Sequence, residues 1–489
     1  MDAYQHPDHI SVDVVIIGAG SAGMVAYKAA KDEGASVLLC DPGPLGTTCA
    51  RVGCMPSKLL IAAAEGARTA RKVSAFGVHV GEVSVDGRAV LQRVRDERDR
   101  FAGFSVRSVQ SSPPEEYLPH SVYFTGPNTL VSSAGHTIEA EAIVIATGTR
   151  PLIPPPLDNL KGTLVTTDAV FEISELPKRL AVVGAGAIGL ELAQAFSALG
   201  VDVTLFNRGT SLGSITDPVV LETYRSLLTD DVRLLERAPL VAASESQGQA
   251  TLTWSAVDGS TPSDTFDLVL AATGRIPNVE YLQLGNANIE LQSRGRFTFD
   301  PATLHVPGTS IFVAGDINGW RNILHEAVDD GQIAGENAAR LAAGSASDVR
   351  KYQRRESLNI IYSHPQLGSG GASFDELNED EFVVGEVSLR NQGRSRIELE
   401  NQGVLRVYAA KDDGRLLGFE ILSQRAEHIA HQLAWAIQSK LDVRQMLDLP
   451  FYHPAVEEGL RSALQRAIKQ LALPPRTRIP LAEDDTTQA

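Results

Sequence analysis

Twice along this chain an apolar, β-branched run ends in a glycine-rich turn and continues into an alanine-rich stretch, and nothing else in the sequence restricts the fold so strongly. The first copy, residues 12–23, reads VDVVIIGAGSAG, with Gly18, Gly20 and Gly23 in the turn. The second, residues 180–189, reads LAVVGAGAIG, with Gly184, Gly186 and Gly189, and leads into LELAQAFSALG. Glycines at this spacing permit a tight strand-to-helix turn, let backbone amides approach a pyrophosphate, and allow helix to pack closely on strand. One such turn is compatible with an ordinary connection. Two in the same context predict an α/β chain with two Rossmann-like domains and two bound dinucleotides. With 489 residues there is room for about three domains, so a further unit is expected after them.

The two half-sites can be compared at the end of the second strand, because the interval from the third glycine is the same: 41 − 23 = 18 and 207 − 189 = 18. In ASVLLCDPG this places Asp41, a carboxylate suited to the hydroxyls of an unsubstituted adenosine ribose, as in FAD or NAD. In VDVTLFNRG it places Asn207 followed by Arg208, so a guanidinium is available for a 2′-phosphate, which points towards NADP. EAIVIATGTRP (141–151) and LVLAATGRIPN (268–278) each run a strand into Ala-Thr-Gly, bringing Thr147, Gly148 and Gly274 to places where backbone passes near a ligand. TSIFVAGD (309–316) ends in Gly315-Asp316, where a carboxylate can accept from a ribityl or sugar hydroxyl. The Pro-rich PLIPPPLDN (151–159) reads as a linker and a first domain boundary.

Three cysteines are too few for a secreted disulfide framework, yet Cys49 and Cys54 are clustered in GTTCARVGCMPSKLL (46–60). Pro56 falls in the first turn of a predicted helix, and a thiol at a helix N-terminus is favoured as thiolate by the dipole, which suits redox chemistry. A C-x4-C pair can also be half a zinc site, but no second cysteine pair or suitably spaced histidine accompanies it, so no metal is expected. Cys40, in the apolar VLLC, reads as a core residue. Thiol chemistry needs a proton carrier with a pKa near neutral. His453 in LPFYHPAVEEGLRSAL is the candidate, with Glu458 oriented towards it from a helix begun by Pro454, whereas His364-Pro365 reads as a structural turn.

Charge excludes other classes. The balance is 44 − 60 = −16, which repels phosphate backbones and anionic membrane surfaces, so neither nucleic acid nor membrane is an expected partner. The first apolar run, residues 12–17, is far shorter than the ~20 residues of a membrane span. A soluble, cytoplasmic protein is expected, with terminal tails, including His6 and His9 and residues 476–489, that are mobile and without function.

These motifs resemble the class I pyridine nucleotide-disulfide oxidoreductases over nearly the whole chain, most closely the dihydrolipoyl dehydrogenase branch. The resemblance implies an FAD-binding domain in two segments (1–155 and 277–354), an NAD(P)-binding domain between them (156–276), and a C-terminal α+β dimerisation domain (355–475). It also implies that Cys49 and Cys54 form the redox-active disulfide, Cys49 as interchange thiol and Cys54 as the thiol at the flavin. Thr47 stands where a second glycine is usual. Lys58 and Glu191 match the family's ion pair near flavin and nicotinamide. Cofactor contacts are expected from Gly18, Gly20, Gly23, Asp41, Thr48, Lys58, Thr147, Gly148, Asp316 and Ala327 for FAD. For NAD or NADP they are expected from Gly184, Gly186, Gly189, Asn207, Arg208 and Gly274. His453 and Glu458 match the His-Pro-x-x-x-Glu motif, which in the family acts across a homodimer; Phe451 stands where its first histidine is usual.

The implied activity is transfer of electrons between NAD(P)(H) and a dithiol or disulfide through FAD and the cysteine pair. The absence of cysteines in the C-terminal PPRTRIPLAEDDTTQA argues against mercuric and large thioredoxin reductases. Pro56-Ser57-Lys58, and Ala187 where glutathione reductases carry tyrosine, favour a dihydrolipoyl dehydrogenase serving a lipoylated carrier, such as a 2-oxo acid dehydrogenase complex. An NADPH-driven reductase of another small disulfide is the alternative, and a flavoprotein with a mainly docking role in a multienzyme complex is a third.

Overall fold

The computed structural model describes residues 4–344 and 349–472. Strand β1 (His9–Ile17) enters the core at its second half, where residues 14–17 are all buried, and the glycine turn delivers the chain to α1 (Ser21–Asp32). Then come β2 (Val37–Cys40), the single turn α2 (Thr48–Arg51), the long helices α3 (Cys54–Lys72) and α4 (Gly87–Gln110), and strands β3 (Tyr117–Leu118), β4 (Val122–Phe124), β5 (Thr129–Ser132) and β6 (Thr137–Ile145). The chain leaves through β7 (Thr149–Pro151) for β8 (Leu164–Thr166), β9 (Arg179–Val183), α5 (Ala187–Ala198), β10 (Asp202–Phe206), α6 (Pro218–Asp231) and β11 (Arg233–Leu235). An antiparallel excursion, β12 (Leu240–Ser246), β13 (Gln249–Trp254) and β14 (Ser263–Phe266), precedes β15 (Leu268–Ala271). β16 (Arg275–Pro277) returns antiparallel to β7, followed by β17 (Ile311–Val313) and α7 (Leu324–Ala342). The remainder is β18 (Leu358–Ile361), β19 (Gln366–Gly371), β20 (Phe382–Ser388), α8 (Gly393–Ile397), β21 (Val404–Ala410), β22 (Leu416–Ser423), α9 (Ala426–Gln438), α10 (Val443–Asp448) and α11 (Glu458–Ile468).

The sheets make the internal echo visible. β3-β2-β1-β6 run parallel, β17 adds to β6, and β5 and β4 continue the sheet as an antiparallel flank. The second sheet, β11-β10-β9-β15-β8, repeats the parallel core. A third, antiparallel sheet, β18-β19-β22-β21-β20, carries the C-terminal helices. The protein is therefore α/β with two Rossmann-like units and an α+β unit.

The two turns coincide in atomic detail. A Cβ on Gly23 would lie 1.8 Å from the Gly18 carbonyl oxygen, and one on Gly189 would lie 1.9 Å from that of Gly184. Helix and strand are in backbone contact there, which only glycine allows. Helix α7 approaches α1 with the same closeness, since a Cβ on Gly331 or Gly335 would meet the carbonyl oxygen of Ala22 or Ala26 at 2.4 and 2.3 Å.

Two expectations about elements differ. His9 opens β1, and His6 Nε2 lies 3.0 Å from the Tyr117 carbonyl oxygen, so the chain is already pinned at His6. Helix α11 begins at Glu458, not at Pro454. The Glu458 carboxylate accepts from Ala455 N at 3.2 Å, and Gly459 N donates to Val456 O, holding residues 455–457 in a tight turn ahead of the helix. The expected tail 476–489 lies outside the described residues.

A buried polar knot ties the second unit to the third. Asp217 caps α6 by accepting from Val219 N (2.9 Å), accepts from Tyr408 OH (2.9 Å), and forms an ion pair with Arg406, whose Nε lies 2.6 Å away. Glu420 accepts from Thr216 and from Asp217 N. Asp217 is wholly inaccessible and Arg406 nearly so. Replacing Asp217 by Ala leaves Arg406 a buried, half-compensated charge and is expected to cost about 3–5 kcal/mol. A thermal scan should show a clearly lower unfolding midpoint than for a control alanine at the exposed Asp412.

Candidate functional site

The loop between β2 and α3 positions the sulfurs. Thr47 takes φ 49°, rare for a β-branched residue, and its hydroxyl accepts from Ala50 N to cap the single turn that carries Cys49. Glycine at this position would be free of that strain. Gly53 then allows the backbone to fold back, and Cys54 becomes the first residue of α3.

Cys49 and Cys54 are coupled by a thiol hydrogen bond, and the pair is split by it. Cys54, which accepts from Cys49 and feels the Lys58 ammonium, is lowered to about 7 against the opposing effect of burial. Cys49, the donor, is pushed up by the same hydrogen bond and by burial. Lys58 sits one turn along α3, with Nζ 2.7 and 3.0 Å from the two carboxylate oxygens of Glu191 on α5. Glu191 is buried and also accepts from Tyr362 N at 2.8 Å, and Lys58 Nζ lies 4.7 Å from the centre of the Tyr362 ring. Three units of the fold thus meet beside the sulfurs.

The two sulfurs, Lys58, Glu191 and Tyr362 line a cleft of about 1530 Å³ that reaches both glycine turns. The residues fit two dinucleotides. Among the described residues helices α1 and α5 start without any side-chain cap, so their first amides are free to meet phosphates, and nothing stands within 4 Å of the Cβ face of Gly20 or Gly186. Asp316 lines the cleft with its carboxyl raised by burial, near the Thr149 hydroxyl at 3.5 Å. Of the residues singled out in the sequence, Thr48, Cys49, Cys54, Lys58, Gly148 and Glu191 line this cleft, as do Gly20, Gly184, Gly186, Asn207, Arg208, Gly274, Asp316 and Ala327. Gly18, Gly23 and Gly189 form the turns behind it. Asp41 is turned to Ala19 N and Gly43 N, both at 2.6 Å, and Thr147 donates to Asn278 O. Among the described residues no group of three or more His, Cys, Asp or Glu side chains is disposed to hold a metal ion, and no helix is long and apolar enough to cross a membrane.

At the second half-site Asn207 is structural: it is buried, accepts from Gly209 N and donates to Ser211 O. Arg208 beside it is exposed and forms no side-chain hydrogen bond or ion pair among the described residues. The neighbouring strand contributes what the local sequence lacked. Arg237 N donates to Gly209 O and Ala238 N to Asn207 O, which brings a second exposed, unpaired arginine, Arg237, next to the first.

His453 does not line the cleft of its own chain. Its ring is 80% exposed, and Nδ1 lies 3.0 and 3.1 Å from the Glu458 carboxylate, which that hydrogen bond holds below the usual range. His364 is a structural residue, clamped through its backbone by Gln194. Sequence reasoning missed Tyr362, Arg237, Arg275 and His431, each brought to the region by pairing between distant segments.

Residues 12–331 match the family model described as pyridine nucleotide-disulphide oxidoreductase, and residues 358–464 match that family's dimerisation domain. The chain belongs to this family of flavoprotein oxidoreductases, which work with FAD and NAD(P). It is 27% identical to a mercuric reductase from Staphylococcus aureus, over 92% of this chain and 81% of that protein. It is 28% identical to a mycothione reductase from Mycobacterium tuberculosis (92% and 98%) and 27% to a dihydrolipoyl dehydrogenase from Chlamydia muridarum (95% and 98%). In structure it is similar to the HOCl-induced flavoprotein disulfide reductase RclA from Escherichia coli, with a TM-score of 0.78, 21% identity, and coverage of 94% and 99%.

Because the Cys54 pKa is depressed, its thiolate persists above about pH 7 and is lost as the pH falls through that value. Alkylation of the reduced protein by limiting iodoacetamide should rise to half its plateau near that pH, and Lys58→Met should move the midpoint upward.

Proposed function

We propose that the protein is an NADPH-driven reductase of a small disulfide, working as a homodimer. The observation that carries the reading is the cysteine pair at the head of α3, one member near neutral pKa, in a cleft continuous with two dinucleotide cradles. In this reading residues 1–155 and 277–354 hold FAD, residues 156–276 hold the nicotinamide dinucleotide, and residues 355–475 pair two copies. Bound FAD supplies the two-electron connection between the nicotinamide hydride and the sulfur pair. Arg208 and Arg237, two guanidiniums on adjoining strand ends that are unpaired among the described residues, support NADPH, since they offer charge-assisted hydrogen bonds to a 2′-phosphate and Asn207 stands where a ribose carboxylate would be.

The chain's own residues then handle protons and sulfur. Cys49, raised in the dithiol state, needs a base to attack. His453 of a second copy, aligned by Glu458, takes that proton as Cys49 attacks the external disulfide, and returns it to the leaving thiolate. Cys54 attacks Cys49 in the mixed disulfide, releasing the second thiol and closing the Cys49–Cys54 bond. The sum is NADPH + H⁺ + RSSR giving NADP⁺ and two RSH. Exposure of His453 outside its own cleft supports the two-copy arrangement.

A second reading is a dihydrolipoyl dehydrogenase running towards NAD, supported by Pro56-Ser57-Lys58, by Ala187, and by relatives of that name. Anaerobic titration with NADPH and NADH, then turnover with lipoamide and with other small disulfides, separates the two. On the NADPH reading, Arg208→Ala and Arg237→Ala each lower kcat/KM for NADPH by about tenfold or more and leave NADH little changed. Equal loss with both nucleotides counts against it. Cys49→Ser should keep flavin reduction by nicotinamide and abolish disulfide turnover.

A further inference from the structure

His431 lies on α9, in the C-terminal unit of the same chain, and lines the cleft together with Lys58, Glu191, Ile360 and Tyr362. Its Nδ1 is 2.6 Å from the Glu427 carbonyl oxygen, one helical turn back. A carbonyl only accepts, so Nδ1 is the donor, and in the neutral ring Nε2 then offers a lone pair. The ring is braced edge-on by Trp435, with centroids 5.9 Å apart. Neither nitrogen of His431 is bonded to any other side chain among the described residues. No step of the reduction proposed above uses it.

Titratable groups that line the same cleft bear on what it can bind. From α3 come Lys58 and Cys54, from α5 Glu191, and from just past the end of β18 Tyr362, whose phenol is raised by burial and by the nearby Glu427 and Glu191 carboxylates. Glu427 is on α9 itself. Of the strands under α9, β18 and β19 carry no titratable residue, and Glu420 on β22 is turned to Thr216 and Asp217. Lys58, the nearby strong donor, is already committed to Glu191 and the Ser57 hydroxyl. An acceptor at this end of the cleft therefore calls for a donor on the ligand. The nicotinamide end of a dinucleotide presents such donors in its carboxamide NH2 and ribose hydroxyls.

We propose that His431 positions the nicotinamide end of the dinucleotide by accepting one of these hydrogen bonds at Nε2. This rests on the reading of the cleft as a nicotinamide site. It makes the C-terminal unit contribute to nucleotide binding in its own chain, besides offering His453 to another.

The test is equilibrium titration of the oxidised flavoprotein with nucleotide at constant pH. NADP⁺ is compared with 2′,5′-ADP, which lacks the nicotinamide; NAD⁺ and ADP-ribose replace them if NADH proves the reductant. His431→Leu should weaken NADP⁺ by about fivefold, the value of one neutral hydrogen bond. His431→Gln, which keeps an acceptor oxygen, should retain most of the affinity. Affinity for 2′,5′-ADP should be the same in all three proteins. Unchanged NADP⁺ binding in the Leu variant, or an equal loss for 2′,5′-ADP, overturns the proposal. A wild type that binds neither dinucleotide overturns the function proposed above, and this assignment with it.

Discussion

The contact on which the cleft depends is the Lys58–Glu191 ion pair. Glu191 is nearly inaccessible, and a buried carboxylate is tolerated only when its charge is matched and its oxygens are bonded. Lys58 matches the charge from α3, and the backbone amide of Tyr362 supplies a further donor from the third unit. One side chain thus obliges the redox helix, the second Rossmann unit and the C-terminal sheet to meet at a point. The thiolate of Cys54 is favoured first by the hydrogen bond from Cys49 and then by the same ammonium, so the group that assembles the site also tunes its chemistry.

Other links between units follow the same logic of matched polar groups at crossing points. The β7–β16 ribbon carries the chain out of the first unit and back. Arg275 on that ribbon bonds Asp168 and the Thr149 hydroxyl and carbonyl, next to Asp316. The Asp217–Arg406–Tyr408 knot fastens α6 to the antiparallel sheet. A cleft lined by separate units keeps its shape because each crossing is specified by charge and hydrogen-bond direction, not by apolar contact alone.

The sulfur pair shows how a symmetric couple of residues acquires distinct roles. Both are thiols five residues apart, but one heads a nineteen-residue helix beside an ammonium, while the other sits on a single turn and donates its proton. His453, the expected proton carrier, faces outward on the far unit, so the chain places the sulfurs and the imidazole on different surfaces.

What the sequence by itself determined is what short range decides. The glycine turns, the strand-end Asn207 and Arg208, and the cysteine loop at a helix start are each contained in a few consecutive residues, whose φ/ψ limits and helix dipole act locally. Even at short range one boundary moved: Pro454 reads as a helix start, yet α11 begins at Glu458, because that carboxylate binds back to the amide of Ala455 and holds the intervening residues in a turn. Tertiary structure alone decided that Arg237 stands beside Arg208, that Tyr362 lies against Lys58, and that His431 enters the cleft. Each of these depends on strand pairing or helix packing between segments far apart in the chain, and such neighbours are chosen by the folded whole, where long-range burial outweighs anything a local motif encodes.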